Sequence, residues 1–289
     1  MHMILVTGAT GNIGRPLIDL LVGEGADVRA VTRAPKAAGL PAGVEVAEGD
    51  PSRPDTITPH LHGVTSLFLN PRTVGTVAGE LLDIVKRHGV MRVVTVSAIN
   101  CDDDPVRQPS RYRGEYNKEV EDAVIGSGLE WVSLRSSIYA SNTIGLWAAQ
   151  IRAGDVVFGP YPAATITPID ERDIARVGAR ALLTDELLGR RVELTGPQRF
   201  TQEEMVTTIG DAIGKSLRYQ EVPPERARQG IVGAGFSEQF ADALLAMQAQ
   251  SIEQPAPVTG EVEKILGRPP FGYAQWAADH AAAFQTSNV

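Results

Sequence analysis

The chain has few of the residues from which metal centres and disulfide frameworks are built. Its 289 residues include one cysteine, Cys101, and five histidines without an HExxH pair. A single cysteine excludes internal disulfides and zinc sites made of several thiolates, so we predict no metal site and a reducing, cytoplasmic location. The closest histidines, His60 and His62, lie in a proline-flanked stretch and are expected to face solvent.

Long apolar runs and excess positive charge are also missing. No stretch approaches the roughly 20 apolar residues of a membrane-spanning helix, and the first apolar run is too short for a signal peptide. The 27 lysines and arginines against 35 aspartates and glutamates give a formal net charge of −8. We therefore expect a small-molecule partner, with no nucleic acid or membrane bound by charge, and homo-oligomer formation stays open.

Short apolar runs alternate with segments of helical periodicity up to about residue 135. The runs predict six strands, at His2–Thr7, Asp27–Thr32, Val44–Ala47, Val64–Leu69, Arg92–Ser97 and Trp131–Leu134. Near-continuous hydrophobicity is typical of strands covered on both faces, and helices are predicted at Ile13–Val22, Val77–Lys86 and Glu115–Val124. Parallel neighbours need crossovers, so the pattern predicts an α/β fold with a Rossmann-type doubly wound parallel sheet.

The second half of the chain reads differently. A helix-like stretch at Ile138–Arg152 leads into an aromatic loop at Phe158–Pro162, and short strands at Ile166–Ile169 and Arg191–Leu194 flank a helix. Helices dominate from Thr201, where a capping box with Glu204 is predicted. We assign residues 1–135 to a dinucleotide-binding domain to which 164–195 return. Residues 136–163 and 196–289 then form a smaller, mostly helical C-terminal substrate lobe.

A glycine-rich turn follows the first predicted strand directly and leads into the first predicted helix. In that context glycine permits a tight turn and a close approach of the backbone to a pyrophosphate, and the helix N-terminus meets the phosphate charge. We predict that this turn binds a dinucleotide rather than closing a loop without a ligand. The residues of this predicted site are Thr7, Gly8, Thr10, Gly11, Asn12, Ile13 and Gly14.

The end of the second predicted strand indicates which dinucleotide is bound. A carboxylate there would hold the ribose hydroxyls of NAD, but this strand is followed by Arg33, with Lys36 close behind. Two cations favour the 2′-phosphate of NADP over NAD; the alternative is that both are solvated charges. Asp50 is predicted either to bind the adenine amino group or to cap its loop. Asn70, after the fourth strand, is predicted to contact the cofactor.

Residues along the whole chain share the arrangement of one family. They are TGATGNIG at 7–14, Arg33, Gly49-Asp50, Ser97, Lys118, Gly128–Trp131, Leu134-Arg135, Asn142, Asp170–Ala175, Leu194–Pro197 and Leu266–Pro270. The set resembles the NmrA-like branch of atypical short-chain dehydrogenases/reductases. The resemblance implies a nicotinamide-dependent quinone reductase, an isoflavone-reductase-like enzyme, a tailoring enzyme of aromatic natural products, or a non-catalytic sensor of redox state.

The usual catalytic set of that superfamily is incomplete in this chain. By resemblance, Ser97 matches the catalytic serine and Lys118 the lysine that orients the nicotinamide ribose, but Gly114 stands at the tyrosine position. On a continuous helix, Tyr112 and Tyr116 would point about 120° and 160° away from Lys118. Neither tyrosine is therefore expected to replace the missing phenol. Alternatives are that Lys118 pairs with acids of its own helix and that Ser97 merely ends a strand.

The missing phenol limits the chemistry. Reduction of an ordinary ketone creates an alkoxide that needs a proton donor, whereas a reduced quinone leaves as a phenolate-type oxygen with a pKa of about 10. Ser97, Lys118 or backbone amides can stabilise such an anion. We predict an NADPH-dependent oxidoreductase acting on a quinone or similar conjugated aromatic carbonyl. The alternatives are a non-catalytic NAD(P) redox sensor and a ketone or enone reductase without the tyrosine.

Aromatic and polar residues of the predicted C-terminal lobe are candidates for a pocket that takes a flat aromatic substrate. Such pockets are mainly apolar with a few polar groups, although each aromatic residue can instead belong to the core. The candidates are Tyr139, Asn142, Trp147, Phe158 and Tyr161. The acidic run Asp102 to Asp104 has no histidine partners nearby, so we expect it to form a solvated loop.

Overall fold

The computed structural model describes residues 3–286, in which strands and helices alternate. The strands are β1 (Met3–Val6), β2 (Asp27–Thr32), β3 (Glu45–Glu48), β4 (Val64–Leu69), β5 (Arg92–Ala98), β6 (Glu130–Ser136), β7 (Val156–Gly159), β8 (Thr165–Ile166), β9 (Arg191–Leu194), β10 (Phe200–Thr201) and β11 (Arg218–Glu221). The α-helices are α1 (Gly14–Gly23), α2 (Pro71–Val74), α3 (Ala78–Arg87), α4 (Asn117–Gly126), α5 (Asn142–Ala153), α6 (Glu171–Leu183), α7 (Gln202–Ile213), α8 (Pro224–Gly233), α9 (Glu238–Glu253), α10 (Glu261–Leu266) and α11 (Tyr273–Asp279).

The chain divides into two compact units. The first comprises residues 3–102, Gly114–Ser136 and Glu171–Glu193, and the second comprises Asp103–Arg113, Ser137–Asp170 and residues 194–286. Residues 103–113 were predicted to belong to the first domain. The structure packs this segment, as two short 3₁₀ turns, against α9. None of the helices in residues 3–286 is long and apolar enough to cross a membrane.

The first unit contains the predicted parallel sheet. Its seven strands have the order β3-β2-β1-β4-β5-β6-β9. The chain runs outward from β1 to β3 and then returns to the other side of β1, so the strand order reverses between β1 and β4. In doubly wound sheets the ligand crevice lies at the carboxyl ends of the strands beside this reversal. The predicted Rossmann-type α/β fold is confirmed.

The centre of this sheet is fully buried, as the apolar runs predicted. Leu5 in β1, Leu67 in β4 and Val93 in β5 have no accessible surface, and Leu81 and Val85 of α3 belong to the same core. Each buried side chain of this size stabilises the fold by about 1.5–3 kcal/mol through removal of apolar surface from water. The core holds the carboxyl ends of the strands in fixed register for the loops that follow them.

Several boundaries differ from those predicted. Helix α4 begins at Asn117 rather than Glu115, because the backbone of Tyr116 (φ −86°, ψ 62°) is not helical, and Gly114 before it has φ 84°. Helix α5 begins at Asn142 rather than Ile138. Phe158, predicted in a loop, lies in β7, which pairs in parallel with β11. Sequence analysis missed β11 because the two paired strands are short and far apart in the chain.

The second unit has its own aromatic core. Tyr273 and Trp276 of α11 are stacked with ring centroids 5.6 Å apart, and both are buried together with Trp147 and Phe284. Helix α7 begins with the predicted capping box, in which the Thr201 hydroxyl accepts a hydrogen bond from the Glu204 backbone N–H at 3.1 Å. Helices α5, α7 and α11 of this unit pack around these aromatic rings.

Candidate dinucleotide site

Two residues join β1 to β4 where the strand order reverses. The backbone N–H and the hydroxyl of Thr7 both donate to the Phe68 carbonyl oxygen at 3.0 Å, and the Asn70 backbone N–H donates to the Thr7 hydroxyl at 2.9 Å. The side-chain oxygen of Asn70 accepts from the Arg72 backbone N–H and caps α2. The Thr7 hydroxyl is therefore used in hydrogen bonds to the end of β4 and to Asn70, and Asn70 lies beside the glycine turn.

The three glycines of the turn have different roles. Gly8 has φ 65°, and a Cβ there would lie 2.9 Å from the Asn70 amide nitrogen. A Cβ on Gly14 would overlap the Gly8 carbonyl oxygen and lie 2.8 Å from the Ala9 Cα. A Cβ on Gly11 would meet only the Gly8 carbonyl oxygen, at 3.2 Å. Gly8 and Gly14 thus close the turn, whereas Gly11 leaves an open backbone face.

The N-terminus of α1 is suited to an anion. Ile13 precedes the helix without a side-chain cap, and the first turn of α1 contains no acidic residue. Thr10, Gly11 and Asn12 are exposed on the turn in front of it. Backbone N–H groups at a helix start and the positive end of the helix dipole favour phosphate binding at such a place. In α1 the Arg15 N–H donates to the Gly11 carbonyl oxygen at 3.1 Å and Pro16 has no N–H, so the helix dipole and the exposed turn before the helix supply most of the attraction. Together with the open face of Gly11, this geometry fits the pyrophosphate of a dinucleotide.

Arg15 ties the turn to the loop that follows β2. Its Nε donates to the Thr10 carbonyl oxygen at 3.2 Å, and its two terminal nitrogens donate to the carbonyl oxygens of Gly39 at 3.0 Å and Ala38 at 2.8 Å. The Arg15 guanidinium is thus used within the protein. Its contacts fix the loop that carries Arg33 and Lys36 next to the turn.

Arg33 and Lys36 are both exposed beyond the end of β2. Within residues 3–286 neither side chain forms a hydrogen bond or an ion pair, and Arg33 is close enough to help lower the pKa of Asp50. The pairing of β2 with β3 places Arg33 and Asp50 at the same edge, since Thr32 is opposite Glu48. Both cations are therefore available to an anionic group at this edge.

Asp50 has a role within its own loop. One carboxylate oxygen accepts hydrogen bonds from the Ser52 hydroxyl at 2.7 Å and the Ser52 backbone N–H at 3.0 Å. The other oxygen lies 3.5 Å from the Arg53 Nε. The bond from the Ser52 side chain is the main cause of the lowered pKa of Asp50. Of the two predictions for this residue, loop capping describes these contacts.

Ser97, predicted as the catalytic serine, is buried at the end of β5. Its Oγ has no hydrogen-bond partner in residues 3–286, and burial raises the pKa of the nearby Cys101 thiol. The Ser97 carbonyl oxygen accepts from the Ser136 hydroxyl at 3.2 Å. The Ser97 hydroxyl therefore faces the inside of the first unit, next to the only cysteine of the chain.

Lys118 lies in the first turn of α4, and its side chain is paired. Its Nζ donates to both carboxylate oxygens of Asp122 at 2.6 Å and lies 3.8 Å from an Asp102 oxygen. The Asp122 hydrogen bond is the main cause of the raised pKa of Lys118. The alternative in which the lysine pairs with an acid of its own helix matches this geometry.

The helical angles calculated for the two nearby tyrosines do not apply, because both residues lie outside α4. Tyr116 only precedes α4, and Gly114 has a left-handed conformation. Tyr112 lies in a 3₁₀ turn, Pro109–Arg113, of the second unit. These residues therefore do not share a helix with Lys118, and a side chain at Gly114 would not stand one helical turn before that lysine.

A buried ion-pair network was missed by the sequence analysis. Glu121 has no accessible surface and accepts hydrogen bonds from Ser133, Arg135 and Arg191. Although burial opposes ionisation, these bonds lower the pKa of Glu121 to about 2. An acid beside the buried residue Val120 on α4 was the available signal, because a charge on an apolar helix face needs a buried partner.

Asp102 belongs to the same network rather than to a purely solvated loop. The Arg135 guanidinium donates to an Asp102 oxygen at 2.7 Å, and the Lys118 ammonium lies near the other oxygen of that carboxylate. Asp104 caps a 3₁₀ turn by accepting from the Val106 backbone N–H at 3.0 Å. Within residues 3–286 no three His, Cys, Asp or Glu side chains converge as metal ligands.

The structure groups only some of the predicted pocket residues. Asn142 and Trp147 line one small cavity of the second unit. Phe158 is 51% exposed on β7, and Tyr139 pairs with Ile169 through an isolated bridge. Tyr161 has φ 52° in the loop after β7. Tyr139, Phe158 and Tyr161 are not among the residues that line this cavity.

Comparison with known proteins identifies the family. A profile described as "NmrA-like family" matches residues 1–265. The chain belongs to the NmrA-like family. It is 33% identical over 288 residues to an NAD(P)H azoreductase of Xenophilus azovorans, with 98% of this chain and 99% of the relative covered. The resemblance predicted from the sequence is thus confirmed.

Two further comparisons extend over nearly the full length. The chain is 31% identical to a (4-alkanoyl-5-oxo-2,5-dihydrofuran-3-yl)methyl phosphate reductase of Streptomyces griseus, with 98% of this chain and 99% of the relative covered. The structure of an NADPH-dependent quinone oxidoreductase of Escherichia coli in complex with NADPH superposes with a TM-score of 0.81. That likeness covers 96% and 99% of the two chains at 22% identity and shows the shared fold.

Proposed function

We propose that this NmrA-like protein is an NAD(P)H-dependent oxidoreductase that prefers NADPH and reduces a quinone or a similar conjugated aromatic carbonyl. The observation that carries the proposal is the open face of Gly11 in front of the uncapped N-terminus of α1. A pyrophosphate fits there, at the point where the strand order reverses. The names of the azoreductase and the quinone oxidoreductase, both nicotinamide-dependent, support the same class of cofactor.

Arg33 and Lys36 carry the preference for NADPH in this proposal. Both are exposed cations without an ion pair in residues 3–286, at the edge where the adenosine ribose of a dinucleotide binds in this fold. A guanidinium binds a 2′-phosphate through charge-assisted hydrogen bonds that a ribose hydroxyl cannot replace. When bound, the reduced nicotinamide supplies the hydride. Asn70 lies next to Gly8 and would contact a cofactor bound at the turn.

The absence of a suitably placed proton donor indicates which class of acceptor is reduced. No tyrosine of this chain stands one helical turn before Lys118, and the Ser97 hydroxyl is buried. An acceptor whose reduced form leaves as a stabilised anion needs no strong proton donor in the transition state. Azo compounds, unsaturated oxo-dihydrofurans and quinones are conjugated acceptors, and the related reductases are named for them. Tailoring of small aromatic molecules in the cytoplasm is the setting we propose.

A steady-state assay of NADPH oxidation tests this function. We expect turnover with quinones, anthraquinones or azo dyes, and none with unactivated ketones, whose alkoxides lack a donor. Tyr112→Phe and Tyr116→Phe are each expected to keep most of the turnover. Loss of activity by several orders of magnitude in either variant would instead show a phenolic acid and make the ketone reductase the better description.

The non-catalytic sensor is the second candidate, and one observation favours it. Lys118, the residue matched to the catalytic lysine, is paired with Asp122 on its own helix instead of being free to orient a nicotinamide ribose. A sensor would bind NADPH with the affinity set by the turn and by Arg33 but would oxidise it with no acceptor of the panel. Tight binding without turnover therefore selects the sensor, and turnover with a conjugated acceptor excludes it.

A further inference from the structure

A small cavity inside the second unit has an amide oxygen without a partner. The cavity, of about 20 Å³, lies between α5 and α9, and Ile138, Leu146, Trp147, Ile166, Leu244 and Met247 supply its apolar lining. The polar lining residues are Asn142 and Thr143 of α5, Gln202 of α7 and Gln248 of α9. The Gln202 amide nitrogen donates to the Ala164 carbonyl oxygen at 3.4 Å and is not a partner of Gln248. The cavity is thus an apolar space with polar groups at defined positions, which is the usual composition of a small-molecule site.

Gln248 is the polar group that the fold leaves unsatisfied. Its side chain is 8% exposed, and its Oε1 is buried without a hydrogen-bond partner in residues 3–286. Buried acceptors without partners cost about 1–3 kcal/mol, so proteins rarely retain them without use. The nearby Thr143 does not satisfy Oε1, because its hydroxyl donates to the Ala140 carbonyl oxygen at 2.7 Å.

We propose that this cavity binds a hydroxyl substituent of an aromatic substrate, which donates a hydrogen bond to the Oε1 of Gln248. The proposal rests on the proposed function and specifies its substrate class: a hydroxylated aromatic acceptor. A volume of about 20 Å³ holds one water-sized group, so a hydroxyl fits and an aromatic ring does not. The ring would lie outside this space, against the apolar side chains that border it.

The size of the cavity predicts discrimination among substituents. A hydroxyl offers the donor that Oε1 lacks, hydrogen offers none, and a methoxy group lacks the donor and adds a methyl group. A neutral hydrogen bond to an otherwise unpaired buried acceptor corresponds to about tenfold in affinity. The hydroxylated ligand should therefore bind about tenfold more tightly than the unsubstituted one, and the methoxy ligand most weakly.

Equilibrium dialysis of the intact protein tests this order with naphthol, methoxynaphthalene and naphthalene. These probes need no turnover, so the result does not depend on whether the protein reduces quinones. The proposal expects naphthol to bind about tenfold more tightly than naphthalene, the size of a net hydrogen bond. Equal affinities, or a preference for methoxynaphthalene, would overturn it. Because this series uses the unaltered chain, it also stands if a variant fails to fold.

Gln248→Met removes the acceptor and keeps the length of the side chain. We expect the tenfold preference for naphthol to fall to about one, while naphthalene binds as before or better, since no polar group stays buried. Gln250→Met is the matched control, because Gln250 lies on the same helix and bonds to the exposed Gln254 at 3.0 Å. A preference that survives in Gln248→Met, or disappears in Gln250→Met, would contradict the assignment.

Failure of this inference and failure of the proposed function give different results. NADPH oxidation by quinones without any hydroxyl preference would retain the oxidoreductase and remove the role of Gln248. Selective naphthol binding without turnover on any acceptor would retain the cavity assignment and favour the sensor. The two measurements therefore separate substrate recognition in the second unit from chemistry at the dinucleotide.

Discussion

The glycine turn at 7–14 and the surroundings of Lys118 differ in the groups that form them: backbone in the first, paired side chains in the second. In the turn, backbone groups and missing side chains create the proposed binding surface, and Gly11 leaves it open. Around Lys118, charged side chains pair with one another, and the Asp102 carboxylate forms ion pairs with both Arg135 and Lys118. A site made of backbone can be recognised from a local motif. A site made of side chains depends on partners far along the chain.

The largest effect is expected in the ion-pair network. Glu121→Gln leaves Arg135 without its buried counter-charge, so we expect the free energy of unfolding to fall by about 3–5 kcal/mol. Denaturant unfolding measures this loss. Glu119→Gln on the exposed side of α4 is the control; because Glu119 is an acid in the first turn of the helix, its loss should cost no more than about 1 kcal/mol. Similar losses of unfolding free energy in both variants would show that Glu121 does not stabilise the ion-pair network.

Acid pH tests the same contrast when the stabilities of wild type and Glu121→Gln are compared across a pH series. The pKa of Glu121 is lowered from 4.5 to about 2, so its contribution is present above pH 4.5 and is lost as the pH falls toward 2. By linkage, that shift corresponds to about 3 kcal/mol. The difference in unfolding free energy between wild type and Glu121→Gln should therefore shrink across this range. A difference that stays constant with pH would contradict the lowered pKa.

An intermediate effect is expected at the edge next to the turn. If Arg33 binds the 2′-phosphate, Arg33→Ala should weaken NADPH binding by about 1.5–3 kcal/mol and leave NADH binding nearly unchanged. Arg53→Ala is a suitable control, because Arg53 is also exposed and lies 3.5 Å from Asp50. Dissociation constants for both cofactors measure the difference. Equal losses for NADPH and NADH in Arg33→Ala would count against the preference for NADPH.

The smallest effect concerns Gly114. It has φ 84°, and a Cβ there would meet no atom within 4 Å, so Gly114→Ala costs only backbone strain, about 1 kcal/mol. Gly145→Ala in α5 also meets no atom, yet it should stabilise by up to about 1 kcal/mol because its backbone is helical. Thermal unfolding compares the two. Gly114→Tyr is expected to create no ketone reduction, and its appearance would show that residue 114 can stand beside Lys118.

The part of the fold that could be predicted from sequence is the part determined by local pattern. Continuous apolar strands predicted the sheet, and glycines after β1 predicted the turn, because both depend on neighbouring residues alone. The start of α4 was misplaced, since only the conformations of Gly114 and Tyr116 show that α4 does not begin before Asn117. The partners of Glu121 could not be predicted, because Arg135 and Arg191 reach it from other strands of the sheet.

The candidate pocket illustrates the same limit. Asn142 and Trp147 were predicted from residue type, but Gln248 was not, because an amide on a helix is usually solvated. Its oxygen is buried beside an apolar cavity whose lining comes mainly from α5, β8, α7 and α9, segments that lie far apart in the chain. Phe158 was predicted to line the pocket because it is aromatic. In the structure it lies on β7, which pairs with β11, and its side chain is exposed.

The affinity of Gly11→Val for NADPH tests the central claim, that the open turn after β1 binds the dinucleotide phosphates. A Cβ at Gly11 would lie 3.2 Å from the Gly8 carbonyl oxygen, so a small shift of the turn and some loss of stability are expected, and the far-ultraviolet spectrum and the unfolding transition show whether the variant is folded. The valine side chain would occupy the space proposed for the pyrophosphate, and a loss equal to two charged hydrogen bonds would weaken binding by at least about a hundredfold. A folded Gly11→Val protein that binds NADPH as wild type does would contradict the claim.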